Sequence, residues 1–455
     1  MRKIEVRLVQ DTPMWHFQGA SEDCCLRASE VKPKLDRFLV TKIGRGEIPD
    51  SWWINKEQGA LNYKMRISVS GREILESLVT DKGRDGRPRF DNNGNPKMKN
   101  LYPIYFGNMG PNAPRNMRLV KFEGIKLEII VPNEVAEKKT DENASDKTLG
   151  DIISENLPQF FAGTSFGTRQ DKGFGCFRVV GSNAPVSKLS GASYYFVVPP
   201  SGNNDKKYED LFQHINYFHK VIRSGVNERG CYVKSLMYHY AKEKEDVWDK
   251  PVIRTAFNFR SNLYRYICGE ISVNDLSDRE YKKVTKSGNT MNPVRENLQR
   301  DEYMMRNMLL RKKGLYRDAL GLATSQDWVF YGNKVKTVLH NDADVRFKSP
   351  VDYRPVPAAN GGFVVYIILH ELPDELRRAS FDISSDRANT TLTEMKISDS
   401  MKIFDYFDFI YNHCWLVEQD EVDDSNVVDI QKGKENGEPY RFVKQVFRTL
   451  ERVNR

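Results

Sequence analysis

The chain holds 455 residues, too many for one ordinary core, and its length predicts two domains of about 150–250 residues each. Hydrophobic residues at 39% and aromatics at 11% supply ample apolar surface, which excludes a wholly disordered chain. Lys plus Arg number 70 against 62 Asp plus Glu, a formal charge of +8 that fits a nucleic-acid partner without requiring one.

The first segment, Ile4–Val9, alternates apolar and charged residues and predicts a strand, not the continuous apolar core of a signal peptide. A loop containing Pro13, Trp15, His16 and Gly19 follows. Ser29 then opens a helix as its N-cap, with Val31, Leu35, Phe38 and Leu39 on one face and Lys32, Lys34 and Arg37 on the others. Leu61–Val69 and Lys121–Val131 read as a strand pair. Between them the polar, basic stretch Asp81–Asn100 predicts an extended loop or hairpin tip. Pro132–Lys147 predicts a surface loop, Leu149–Leu157 a short helix, and Cys176–Val180 and Ala192–Val198 two strands. Pro199–Lys207 reads as a linker between a first domain, 1–200, and a second, 201–455. The second opens with helix Tyr208–Arg223, has its clearest strand at Phe363–Leu369, and ends in a basic amphipathic helix, Tyr440–Asn454. That last helix presents Phe442, Val443, Val446, Phe447 and Leu450 on its apolar face. The order of elements predicts an α+β fold. No apolar run reaches the roughly 18 residues of a membrane span. Six scattered cysteines without a C-x-x-C pair predict neither a zinc site nor a disulfide framework, and fit reduced thiols in a cytoplasm.

The segment richest in chemistry is Gly163–Arg178, with Gly163, Gly167, Gly173 and Gly175 spaced among Arg169, Lys172, Phe174 and Arg178. Closely spaced glycines let the backbone turn sharply and bring N–H groups against a ligand, and the three cations suit phosphate oxygens. The pattern is neither a Walker A loop nor a dinucleotide fingerprint, because it lacks G-K-[ST] and enters a strand. Composition alone leaves a ligand-free Gly-rich hairpin equally open. The run G-x-x-x-G-x-R-x-x-x-G-F-G before a strand resembles the glycine-rich loop of the RAMP superfamily of CRISPR proteins. Asp11-Thr12-Pro13-Met14, Leu26-Arg27-Ala28-Ser29, Arg223–Asn227, Tyr232–Ser235, Ala319–Leu322 and Arg346–Pro350 are similar, more narrowly, to segments of the first RAMP subunit of Cmr-type (type III-B) complexes.

The resemblance implies two ferredoxin-like (RRM-like) domains with helical and loop insertions. It implies a non-catalytic, RNA-binding subunit that caps the 3′ region of a guide RNA and assists target-RNA capture in antiviral defence. Its partners would be guide and target RNA and the other RAMP subunits, with no membrane, no metal and no cofactor. The residues assigned to RNA are Arg27, Lys32, Lys34, Arg37, Gly163, Gly167, Arg169, Lys172, Gly173, Phe174, Gly175, Arg178, Arg311, Lys312, Lys313 and Lys348. The rival is a RAMP endoribonuclease using Asp23 or His16, although Asp23 reads first as a solvated loop acid and His16 first as a packed or surface ring. Trp52, Trp53, Tyr102, Tyr105 and Phe106 flank the basic loop and read as core before base-stacking rings. His214 and His219 have the wrong spacing to chelate from one helix face.

Overall fold

The computed structural model describes residues 1–16, 26–75, 78–81, 87–100, 118–132, 147–182, 184–203, 206–228, 231–246, 249, 253, 257, 266, 272–275, 314–322, 326–330, 333–341, 346–386, 391–413, 428–430 and 438–454. Asp23, Arg311, Lys312, Lys313, Tyr102, Tyr105 and Phe106 lie outside these residues, as do nearly all of the 132–147 loop and most of the acidic stretch 418–429.

Strand β1 (Arg2–Gln10) turns Ile4 and Leu8 inward and Lys3, Glu5 and Arg7 outward, as a period of two requires. Helix α1 (Ala28–Ile43) buries Val31, Leu35 and Leu39 on one stripe. It is capped by the extended backbone of Arg27, so Ser29 sits inside the first turn and not at the cap. The physical reason is Leu26, which joins the same core as Val31 and staples the chain at the residue before the cap. Strand β2 (Lys64–Ser68) pairs with β3 (Ile125–Val131), whose Ile125, Leu127, Ile129 and Val131 all face the core.

Helix α2 (Leu149–Gly163) starts in a capping box. The Thr148 hydroxyl accepts from the Asp151 amide, and the Asp151 carboxylate accepts from that of Thr148. It outruns the sequence expectation of an end near Leu157 and continues through Pro158. Phe160 and Phe161 hold it there by packing on Phe166, which in turn meets Phe177. With β4 (Phe177–Val179) the first unit is strand–helix–strand–strand–helix–strand, and its antiparallel sheet runs β4-β1-β3-β2. The β2–β3 connection adds strands Gly71–Leu75 and Arg118–Glu123, which form a second small sheet with Met14–His16 from the β1–α1 connection, and a hairpin of Leu78–Thr80 with Met98–Asn100.

Strand β5 (Tyr194–Val198) joins the other sheet. It pairs with β7 (Phe363–Leu369) and β8 (Glu451–Arg452), and β7 pairs with β6 (Val351–Pro357). With α3 (Lys207–Arg223) after β5 and α4 (Glu438–Arg448) before β8, the same six-element order recurs, with sheet order β6-β7-β5-β8. Residues 199–206, read from sequence as a linker, therefore connect strand β5 of the second sheet to helix α3. The chain's last helix stops at Arg448, where Thr449 bonds both the amide and the carbonyl of Val197, and two residues of strand follow. Further strands and helix Leu236–Glu243 are inserted between α3 and α4, including a five-stranded sheet with strands at 314–315, 392–397, 381–385, 333–339 and 326–330. The molecule is mixed α and β, in keeping with the α+β expectation.

Candidate nucleic-acid interface

The glycine-rich loop is packed inward over much of its length. Gly173, Phe174 and Gly175 are buried where the two units meet. Phe174 stacks on Phe212 of α3 at 3.6 Å between ring centroids and 10° between planes, and touches Trp15 at 6.2 Å. A Cβ on Gly173 would lie 2.8 Å from Pro355 and 3.1 Å from Ile215, both in the second unit. Gly175 has φ +64°, and a Cβ there would fall on the Phe166 carbonyl oxygen. Its amide donates to the Pro13 carbonyl at 3.0 Å, while the Gly173 carbonyl accepts from the Thr12 hydroxyl at 2.7 Å. The glycines serve close approach of chain to chain.

Lys172 is buried as well, 2.9 Å from Asp171 and 3.2 Å from His219 Nε2. Burial lowers its pKa, against the pull of Asp171. Burial, with Lys172 adding, pushes His219 well below the ordinary histidine range. A neutral ring accepts from the Lys172 ammonium at Nε2 and so donates from Nδ1 to the Tyr353 hydroxyl at 3.1 Å. Next to it, Asp11 is buried between Arg178 Nε at 2.8 Å and Arg354 at 3.4 Å, and Arg354 also donates to the Phe177 carbonyl. Desolvation raises the Asp11 carboxyl, and the two guanidiniums oppose that. This buried polar set spans both units.

Among the described residues assigned to RNA, the exposed cations lie at the start and along the length of α1 and in the segment before β6. Arg27, Arg37 and Lys348 are exposed. Lys34 is half-buried and bonds Gln170 at 2.9 Å, the Ser165 carbonyl at 3.0 Å and Glu30 at 3.4 Å. Burial lowers its pKa, Glu30 raises it, and the positive charges of Lys348 and Arg37 lower it further. Lys34, Arg37 and Lys348 thus share one electrostatic neighbourhood although they belong to different units. Lys348 also pairs with Asp352 at 2.8 Å. Along α1, a groove of about 470 Å³ is lined by Lys32, Arg37 and Arg45 together with Asp36 and Glu57. Lys32 bonds Asp36 at 2.7 Å and lies over the Tyr63 ring.

The fold therefore divides the residues assigned to RNA from sequence. Lys172, Gly173, Phe174 and Gly175 are withdrawn from solvent into the junction. Arg178 is half exposed but anchored to Asp11. Arg169 takes a left-handed backbone, φ 62°, and is half-buried, while Gly167 donates its amide to Glu30 at 2.8 Å. Gly163 is an exposed helix end. Lys32, Lys34, Arg37 and Lys348 gather on or beside one surface. Arg45 was not singled out from sequence, since nothing local marks it; Arg354, a strand residue before a proline, was also missed. His16 is buried in the short strand Met14–His16, opposite Arg118. His214 bonds the Asp210 carbonyl and Gln445, and Trp52 is core. No group of three or more metal-ligating side chains occurs among the described residues.

Family models of the Cmr1 N-terminal domain and the Cmr1 C-terminal domain match residues 1–226 and 232–432. The chain belongs to the Cmr1 family. It is a Cmr1-type RAMP protein of type III-B, as the glycine-rich loop suggested for the superfamily and the segments from Asp11–Met14 to Arg346–Pro350 for the subunit, and a subunit of the Cmr complex in CRISPR defence. Cmr1 proteins are generally structural subunits of that complex. The Cmr1 N-terminal match extends past β5 and α3, elements that the pairing of strands assigns to the second sheet. No curated protein and no solved structure matches the chain. Among the described residues no helix is long and apolar enough to cross a membrane.

Proposed function

We propose that this Cmr1-type subunit binds single-stranded RNA by its phosphates, without reading sequence, on the surface formed by α1 and the Lys348 segment. In the assembled complex it caps the 3′ region of the guide RNA, meets neighbouring RAMP subunits in the cytoplasm and assists target-RNA capture. Sequence is read by guide–target pairing, so the protein need only recognise backbone. The two units are ferredoxin-like domains, an assignment supported by the repeated strand–helix–strand–strand–helix–strand order and matching sheet orders. Their boundary falls between β4 and β5, near residues 180–193.

The observation that carries the proposal is the groove along α1 lined by Lys32, Arg37 and Arg45, with Lys348 exposed on the other unit and within electrostatic reach of Lys34. The test is anisotropy of a labelled single-stranded RNA on the full chain across a salt series, comparing wild type with R37E/K348E. The variant binds more weakly, and its slope of log affinity on log salt is shallower by about 0.7 for each phosphate contact removed. Unchanged affinity and slope in the variant refute the surface.

A further inference from the structure

The helix-free face of the second sheet carries a feature that the phosphate surface leaves unused. On β5, β6 and β7 the residues Phe196, Tyr353, Val365 and Ile367 point to the helices and are buried in the core. The alternate residues face the other way. There Tyr195 and Tyr366 stand directly opposite each other on neighbouring strands, in register, with ring centroids 6.1 Å apart and planes tilted by 53°. Both are half-buried. They occupy the two central strands of the sheet order β6-β7-β5-β8.

The same transverse row continues through Arg354, opposite Tyr366, and ends at Glu451, opposite Tyr195. Arg354 is covered by the first unit, so the row emerges from the junction at the tyrosines. Burial raises the Tyr366 hydroxyl and the nearby Ser187, on the short helix Val186–Ser190, opposes that; Lys188, next in sequence, is exposed. One step along β6 from Arg354, Asp352 holds Lys348, the cation already placed on the phosphate surface. Two half-buried rings side by side on central strands, with exposed lysines on the flanking segments 186–190 and 346–350, suit unpaired bases on a phosphate chain. Stacking on aromatics of a four-stranded sheet is how such folds hold single-stranded bases.

We infer that Tyr195 and Tyr366 form a base-stacking platform for single-stranded RNA, reached by the strand whose phosphates lie at Lys348. The inference rests on the RNA-binding reading and adds the mode of contact made by the second unit. It is tested on the full chain with a labelled single-stranded oligonucleotide, wild type against Y195L/Y366L and Y195F/Y366F. Leucine keeps apolar bulk for the sheet without an aromatic face; phenylalanine keeps the face without the hydroxyl. The leucine variant binds about tenfold or more weakly, with the salt slope of wild type, because stacking releases no counterions. The phenylalanine variant binds as wild type. With 5-iodouracil in the oligonucleotide, crosslinks map to 194–198 or 363–369 and vanish in the leucine variant. Affinity unchanged in Y195L/Y366L while R37E/K348E weakens binding overturns the platform and leaves the phosphate surface standing. Wild type that binds no RNA overturns both.

Discussion

Replacing Phe174 by alanine tests whether the glycine-rich loop joins the two units. The ring is 1% exposed and lies flat on Phe212 at 3.6 Å, with Trp15 tilted against it at 6.2 Å. Removing a buried phenylalanine costs about 3–5 kcal/mol, from lost transfer energy and the cavity left behind. That is a large share of a typical total of about 5–15 kcal/mol. The loss falls at the junction, because Phe174 belongs to the first unit's loop but to the second unit's core cluster. Calorimetry is the first assay and amide exchange the second. The thermal transition of F174A drops by several degrees, and protection falls first in the 170–176 loop and in α3. F174L, which keeps most of the volume, recovers most of the loss. A melting temperature within a degree of wild type, or protection lost evenly over both units, refutes the latch.

The G175A variant is hit harder than an ordinary surface substitution, since it combines φ +64° with a Cβ on the Phe166 carbonyl; poor soluble yield or a lowered transition in a melt checks it. The buried His219 makes stability pH-dependent. Its folded pKa lies well below the ordinary value, so the unfolded chain takes up the proton first as pH falls below about 6.5. The stability it contributes is present above that pH and lost on acidification toward the folded pKa. Melts at pH 7 and pH 5 show a smaller drop for H219Q than for wild type, and an equal drop refutes the assignment.

Much of the fold follows from local pattern. The strand at the N-terminus, α1, α3 and the strand Phe363–Leu369 each announce themselves by period, and the apolar face predicted for the last helix is the one buried: Phe442, Val443, Val446, Phe447 and Leu450. The glycine spacing around Arg169 and Phe174 was enough to point to the family. Periodicity states which face of an element is buried, but not what it is buried against. So Tyr194–Val198 was recognisable as a strand while its sheet was not, because its partners lie about 170 and 250 residues further on. For the same reason Lys172 and Arg178 read as phosphate ligands. A lysine beside glycines has one appearance in sequence whether it meets solvent or a buried His219. The meeting of Lys34 with Lys348, the in-register pair of Tyr195 and Tyr366, and the burial of Asp11 between two arginines all depend on register and on the docking of one unit against the other. Local pattern and the resemblance of short motifs to a family determined what kind of protein this is; only long-range packing decided which of its cations and rings remain at the surface.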